Sequence, residues 1–155
     1  MPGIPALLQP AAHAFLMARE DVTQAVTGLS RDALWLQPGG ITPVGFHVAH
    51  LTGSTDRLLT YAKGQMLSEA QQQVLAREKT LAVERPALED LLRAWHEKVD
   101  TALEQLASTS EQELSQPRAV GRARLPSTVL GLLFHAAEHA SRHTGQIVTT
   151  AKLVR

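Results

Sequence analysis

The sequence predicts an all-α fold, a four-helix bundle with short extra helices in its connections, and three observations carry that prediction. Leucine and alanine supply 45 of the 155 residues (23 Leu, 22 Ala) while aromatics make up 4%, a balance that favours helices over sheets. Four long segments repeat apolar residues at steps of three and four, each opened near a proline or closed near a glycine. No stretch shows a convincing strand pattern, an internal repeat or a low-complexity tract. With 44% hydrophobic residues, the chain supports one packed core, hence a single domain over 1–155.

The first helix is expected over 10–27, closed by Gly28, with Ala11, Phe15, Ala18, Val22 and Val26 in one stripe. The second takes Thr42 as N-cap and Pro43 in its first turn, runs through Lys63 and ends at Gly64. Its apolar side holds Val44, Val48, Leu51, Thr55, Leu58 and Leu59. The third follows Pro86 and has the most regular stripe, Leu88, Leu91, Leu92, Trp95, Val99, Ala102, Leu103 and Leu106. The fourth follows Pro126, with Ser127 as N-cap, and runs to Leu153. Between them the sequence predicts a capped turn after Ser30, a small helix after Ser68 with Gln71 completing a capping box, and a loop over 108–125. The connections 65–85 and 108–125 exceed the usual two to eight or so residues of a bundle, which marks them as crossovers or as loops that cover something.

Charge and composition exclude several function classes. Fifteen basic and fifteen acidic residues give zero formal charge, so no net field draws the protein to nucleic acid or anionic lipid. Zero cysteines remove disulfides, thiolate nucleophiles and iron–sulfur clusters. No apolar run reaches the roughly twenty residues of a membrane span, and the start MPGIPALLQP lacks a basic signal segment. A soluble, cytoplasmic protein is expected.

Seven histidines are the conspicuous feature, and five fall on two helices: His47 and His50 on the second, His135, His139 and His143 on the fourth. On the fourth-helix wheel His143 lies about 20° and His139 about 60° from the centre of the apolar stripe, while His135 lies about 100° away. Two inward imidazoles one turn apart can hold one cation together. A single inward histidine is ordinarily a hydrogen-bonded core residue. Burying two side by side, however, leaves up to four ring nitrogens in want of partners. A third ligand must come from elsewhere, and the second helix offers His47, about 70° from its stripe, or His50, about 130° away. The wheel prefers His47, softly. His13 and His96 lie off their stripes and read as surface residues, whereas Phe15, Phe46, Trp95 and Phe134 read as core or dimer contacts.

The segment Gly45-Phe46-His47-Val48-Ala49-His50-Leu51, followed by Ser54, Asp56 and Arg57, resembles the first metal-binding helix of the DinB/YfiT-like superfamily. The run His135-Ala136-Ala137-Glu138-His139, then Ser141-Arg142-His143-Thr144-Gly145-Gln146-Ile147, is similar to that family's last helix. The resemblance implies an up-down-down-up bundle, a homodimer, and one divalent metal held by His50, His139 and His143, with His47 as a neighbour. Zinc or nickel is the expected ion, with iron, cobalt, copper and manganese also suited to such ligands.

The family includes proteins resembling transferases that use low-molecular-weight thiols, metal-dependent hydrolases and members without known activity. A thiol-dependent transferase acting on a small molecule is therefore the first expectation, with a hydrolase or a non-catalytic, stress-related metal-binding module as alternatives. With no cysteine in the chain, the thiol must come with the substrate. Gln146, His47, Glu138 and Arg142 are candidates to support the ligands or the substrate, although an edge glutamate is more often simply solvated. Arg118, Arg122 and Arg124, with Arg142, could receive carboxylates of an anionic cosubstrate, or the three loop arginines could form a solvated loop.

Overall fold

Helix punctuation places the elements almost where the sequence predicts them. In a computed structural model, which describes residues 1–155, α1 spans Gln9–Val26 with Pro10 in its first turn, where proline's missing N–H costs no bond. Helix α2 (Arg31–Trp35) is capped by Ser30, whose Oγ accepts from Ala33 N. Helix α3 spans Val44–Ala62, and its N-cap is Pro43 rather than Thr42, with no side-chain cap. Helix α4 (Glu69–Arg77) carries the expected capping box between Ser68 and Gln71. A 3₁₀ turn, Glu78–Thr80, leads into the short α5 (Leu81–Glu84). Helix α6 runs Leu88–Ser108 and buries Leu91, Trp95, Val99, Ala102 and Leu106, which is the predicted stripe.

The 108–125 connection differs from its prediction. Strands β1 (Pro117–Val120) and β2 (Leu125–Thr128) pair antiparallel, from Pro117 opposite Thr128 to Val120 opposite Leu125. Two four-residue strands with prolines at 117 and 126 give almost no alternation to read, and a two-stranded ribbon tolerates proline because every strand is an edge. Helix α7 (Val129–Leu153) therefore begins later than expected, and its cap is Thr128, not Ser127: Thr128 Oγ1 accepts from Gly131 N at 3.0 Å.

Helices α1 and α3 each pack against both α6 and α7, and the buried apolar side chains of all four form one contiguous cluster. Polar contacts mark the seams. Arg19 meets Asp100 and Thr23 meets His96 between α1 and α6, so His96 is half-buried and bonded rather than a free surface residue. Lys98 meets Asp56, and Gln105 Nε2 donates to Leu59 O, between α3 and α6. Phe15 and Trp95 are core as predicted, but Phe134 is 58% exposed.

The start of α3 depends on a close approach. A Cβ on Gly45 would lie 2.7 Å from the indole ring of Trp35, which is itself anchored by its Nε1 donating to Pro86 O at 3.1 Å. The indole cannot swing aside without breaking that bond. Gly45→Ala is accordingly expected to destabilise the protein by about 1–3 kcal/mol, the usual range for overpacking, as read from the midpoint of urea unfolding.

Candidate metal centre

Helices α3 and α7 lie side by side and bring four imidazoles into one space. Successive inward positions on α3 supply His47 and His50, and the i, i+4 pair on α7 supplies His139 and His143. His50 Nε2 lies 3.1 Å from His139 Nε2, and His47 Nδ1 lies 3.1 Å from His143 Nδ1. The rings of His139 and His143 stand 4.5 Å apart, and those of His50 and His143 4.7 Å apart. Ligand atoms of His50, His139 and His143 all fall within 4.8 Å of one another. Two imidazole nitrogens on one tetrahedral ion, at about 2.0–2.1 Å each, stand about 3.4 Å apart, so the three rings are close to ligating distance.

The protonation of these rings suits an ion. Burial first, then the neighbouring histidines, push the pKa values of His139 and His143 down to about 4. His47 is also lowered, by burial and then by His50. At neutral pH His139 and His143 thus present uncharged rings with a lone pair each, the form a metal requires. His139 Nδ1 is buried with no partner, so no hydrogen bond at that atom fixes which nitrogen of the ring holds the proton. A cation at the site can set it. The residues fit a divalent metal.

A carboxylate with no sequence signal completes the surroundings. Glu78, on the turn between α4 and α5, accepts from His50 Nδ1 at 2.9 Å through Oε2 and from Arg57 Nη1 at 2.8 Å through Oε1. Burial would raise its pKa, but hydrogen bonds from His50 and Arg57, and then their charge, hold it below the usual carboxylate value. The length of the 65–85 connection was the one hint that this segment covers something. Phe46 stacks on His50, with ring centroids 5.7 Å apart and planes within 9°.

The other candidates divide. His47 is buried at 6% exposure and bonds to His143, so the wheel was right about its depth, while the cluster of three contains His50. Glu138 touches no ring of the cluster: it pairs with Arg142 at 2.6 Å and approaches His135 at 3.5 Å. Gln146 does not orient an imidazole. It is exposed and lines a cleft of about 590 Å³ with His47, Arg142, Thr42, Ile41 and Leu153. The loop arginines do not reach the histidines. Arg118 donates to Ala62 O at 2.7 Å, and Ala62 lies about 18 Å along α3 from His50 at 1.5 Å per residue. Arg122 lines a separate cavity with Tyr61 and Met66.

A mostly helical protein with three convergent histidines defines a candidate metal-binding class. The chain belongs to the DinB superfamily, whose family model matches residues 14–147. No curated protein matches the chain.

The depressed histidines set a pH dependence for the metal-free protein. Unfolded histidine titrates near 6.5, whereas His139 and His143 titrate at about 4 when folded. Below about pH 6.5 the unfolded chain takes up protons that the folded site refuses, so stability falls from there down to about pH 4. Thermal melts in chelator across this range are expected to show that decline, with a shallower slope in His139→Ala.

Proposed function

We propose that the protein binds a divalent metal through His50, His139 and His143 and acts as a metal-dependent transferase using a low-molecular-weight thiol. The observation that carries this reading is the set of three imidazole donors within 4.8 Å, with no fourth protein ligand in the group. Three-ligand sites leave a coordination position for chemistry, whereas structural sites close with four. When bound, the ion supplies Lewis acidity to a thiol or a water. Zinc or nickel is the ion we propose, since neutral imidazoles suit both.

The chain's own residues supply the rest. His47 separates the cleft from His143 and holds that ring through Nδ1. Arg142, on the same cleft, is positioned to receive a carboxylate of the cosubstrate, in exchange for its bond to Glu138. The sulfur comes with the cosubstrate, because the chain has no cysteine. We further propose the family's up-down-down-up arrangement. It is supported by the order of cross-helix contacts: residue numbers run in opposite senses for Arg19–Asp100 and Thr23–His96 and for His47–His143 and His50–His139. They run in the same sense for Asp56–Lys98 and Leu59–Gln105. A homodimer and a cytoplasmic location are part of the same proposal. The exposed Phe134 supports the first, and for the second no helix is long and apolar enough to cross a membrane.

Metal analysis of the purified protein is expected to find about one divalent ion per chain, lost in His50→Ala, His139→Ala and His143→Ala. Unchanged content in His139→Ala would rule out this ligand set. The zinc- or nickel-loaded protein, supplied with common cellular thiols and an electrophile, is expected to consume thiol in step with product. Silence across that panel would return the reading to a hydrolase or a non-catalytic metal-binding module.

A further inference from the structure

Glu78 belongs to neither histidine helix, yet it makes the most specific polar contact at the centre. Its two carboxylate oxygens are divided between two partners, Oε2 to His50 Nδ1 and Oε1 to Arg57 Nη1. The Glu78 and Arg57 side chains are each only 12% exposed. Helix α3 makes room for the pair: a Cβ on Gly53 would lie 2.9 Å from Arg57 Nη1 and 3.0 Å from Glu78 Oε1. A buried ion pair alone is weak evidence for stability, and stability does not explain why the second oxygen is aimed at an imidazole. That aim has a chemical consequence. An ionised carboxylate can only accept, so the proton between Glu78 and His50 sits on Nδ1. The Nε2 atom of His50, which faces His139 Nε2 at 3.1 Å, is then the nitrogen left with a lone pair.

We propose that Glu78 is a positioning residue for the metal centre, locking His50 in the tautomer that presents Nε2 toward His139 and so to a divalent cation. This rests on the metal-binding reading above. Phe46, stacked on the His50 ring, limits rotation of the same imidazole. The turn Glu78–Thr80 thus makes the 65–85 connection part of the centre, and Arg57 decides which way the carboxylate faces.

Arg57 also sharpens the test. A guanidinium can only donate, so in Glu78→Gln it claims the amide oxygen and leaves the amide N–H₂ pointing at His50 Nδ1. The ring must then carry its proton on Nε2, the wrong nitrogen for ligation. Removing Arg57 as well lets the amide turn and accept from Nδ1 again. Zinc affinity, measured by competition with a chromophoric chelator, is expected to fall about 10–100-fold in Glu78→Gln and to recover in part in the double variant E78Q/R57M. Imidazole ¹⁵N shifts of metal-free protein are expected to report His50 protonated on Nδ1 in wild type and on Nε2 in Glu78→Gln. Glu78→Asp, which keeps the charge, should retain the wild-type tautomer and serves if Glu78→Gln folds poorly.

An unchanged His50 tautomer in Glu78→Gln overturns the proposal. So does an affinity loss that the double variant does not relieve, because that assigns Glu78 to direct ligation or to folding alone. If wild type binds no zinc, the metal-binding reading fails, while the metal-free ¹⁵N shifts still decide whether Glu78 sets the tautomer of His50.

Discussion

The centre of this protein is organised by the crowding of four imidazoles between α3 and α7. Each neutral ring has one nitrogen that donates and one that accepts, and here the nitrogens face one another in pairs, 3.1 Å apart in both. Such pairs can share one proton each, but His139 Nδ1 is left buried and unpartnered. Burial first, then the neighbouring histidines, oppose protonation of His47, His139 and His143, so these three rings resist the cheapest remedy, which is to become cationic. A divalent ion can draw on several of these lone pairs at once.

The surrounding fold keeps those rings from relaxing away. Gly45 admits the Trp35 indole against the first turn of α3, setting the position of the helix just before His47. Phe46 covers the face of His50, and Glu78 holds its edge. On α7, Ala136 and Ala140, three residues before His139 and His143 respectively, are buried in the core with Leu133 and Ile147. Small residues there bring the helix backbone close to its neighbours and leave the space beside them to the imidazoles. Packing and chemistry use the same two helices, and overpacking near Gly45 would be felt at the histidines.

The cleft beside His47 brings solvent to one imidazole of the four, and Arg142 provides a cation on its wall. The far end of the molecule is built differently. There the hairpin is tied down by Arg118 to the end of α3 and by the backbone of α7 to Leu114 and Gln116. It closes the bundle and contributes nothing to the histidines, so of the two long connections only 65–85 reaches the site.

Much of this was legible from the residues alone. Proline and glycine punctuation and a 3.6-residue period are local signals, and they gave the four long helices, the Ser30 and Ser68 caps and the inward i, i+4 pair His139 and His143. Resemblance, rather than periodicity, selected His50 over His47. The wheel measures depth, and His47 is indeed the deeper ring, but which nitrogen meets which is a matter of how α3 is rotated against α7. Other features depend on pairings between distant segments: the proline-bearing hairpin, the bond that draws His96 to Thr23, and the loop arginines placed at the wrong end. The amino-acid sequence by itself determined which helices form and that two of them carry stacked histidines, because helix periodicity acts within a few residues. Only the tertiary structure decided that Glu78, 28 residues from His50, is the carboxylate that faces it, because that contact exists only once a turn between two short helices has docked against α3.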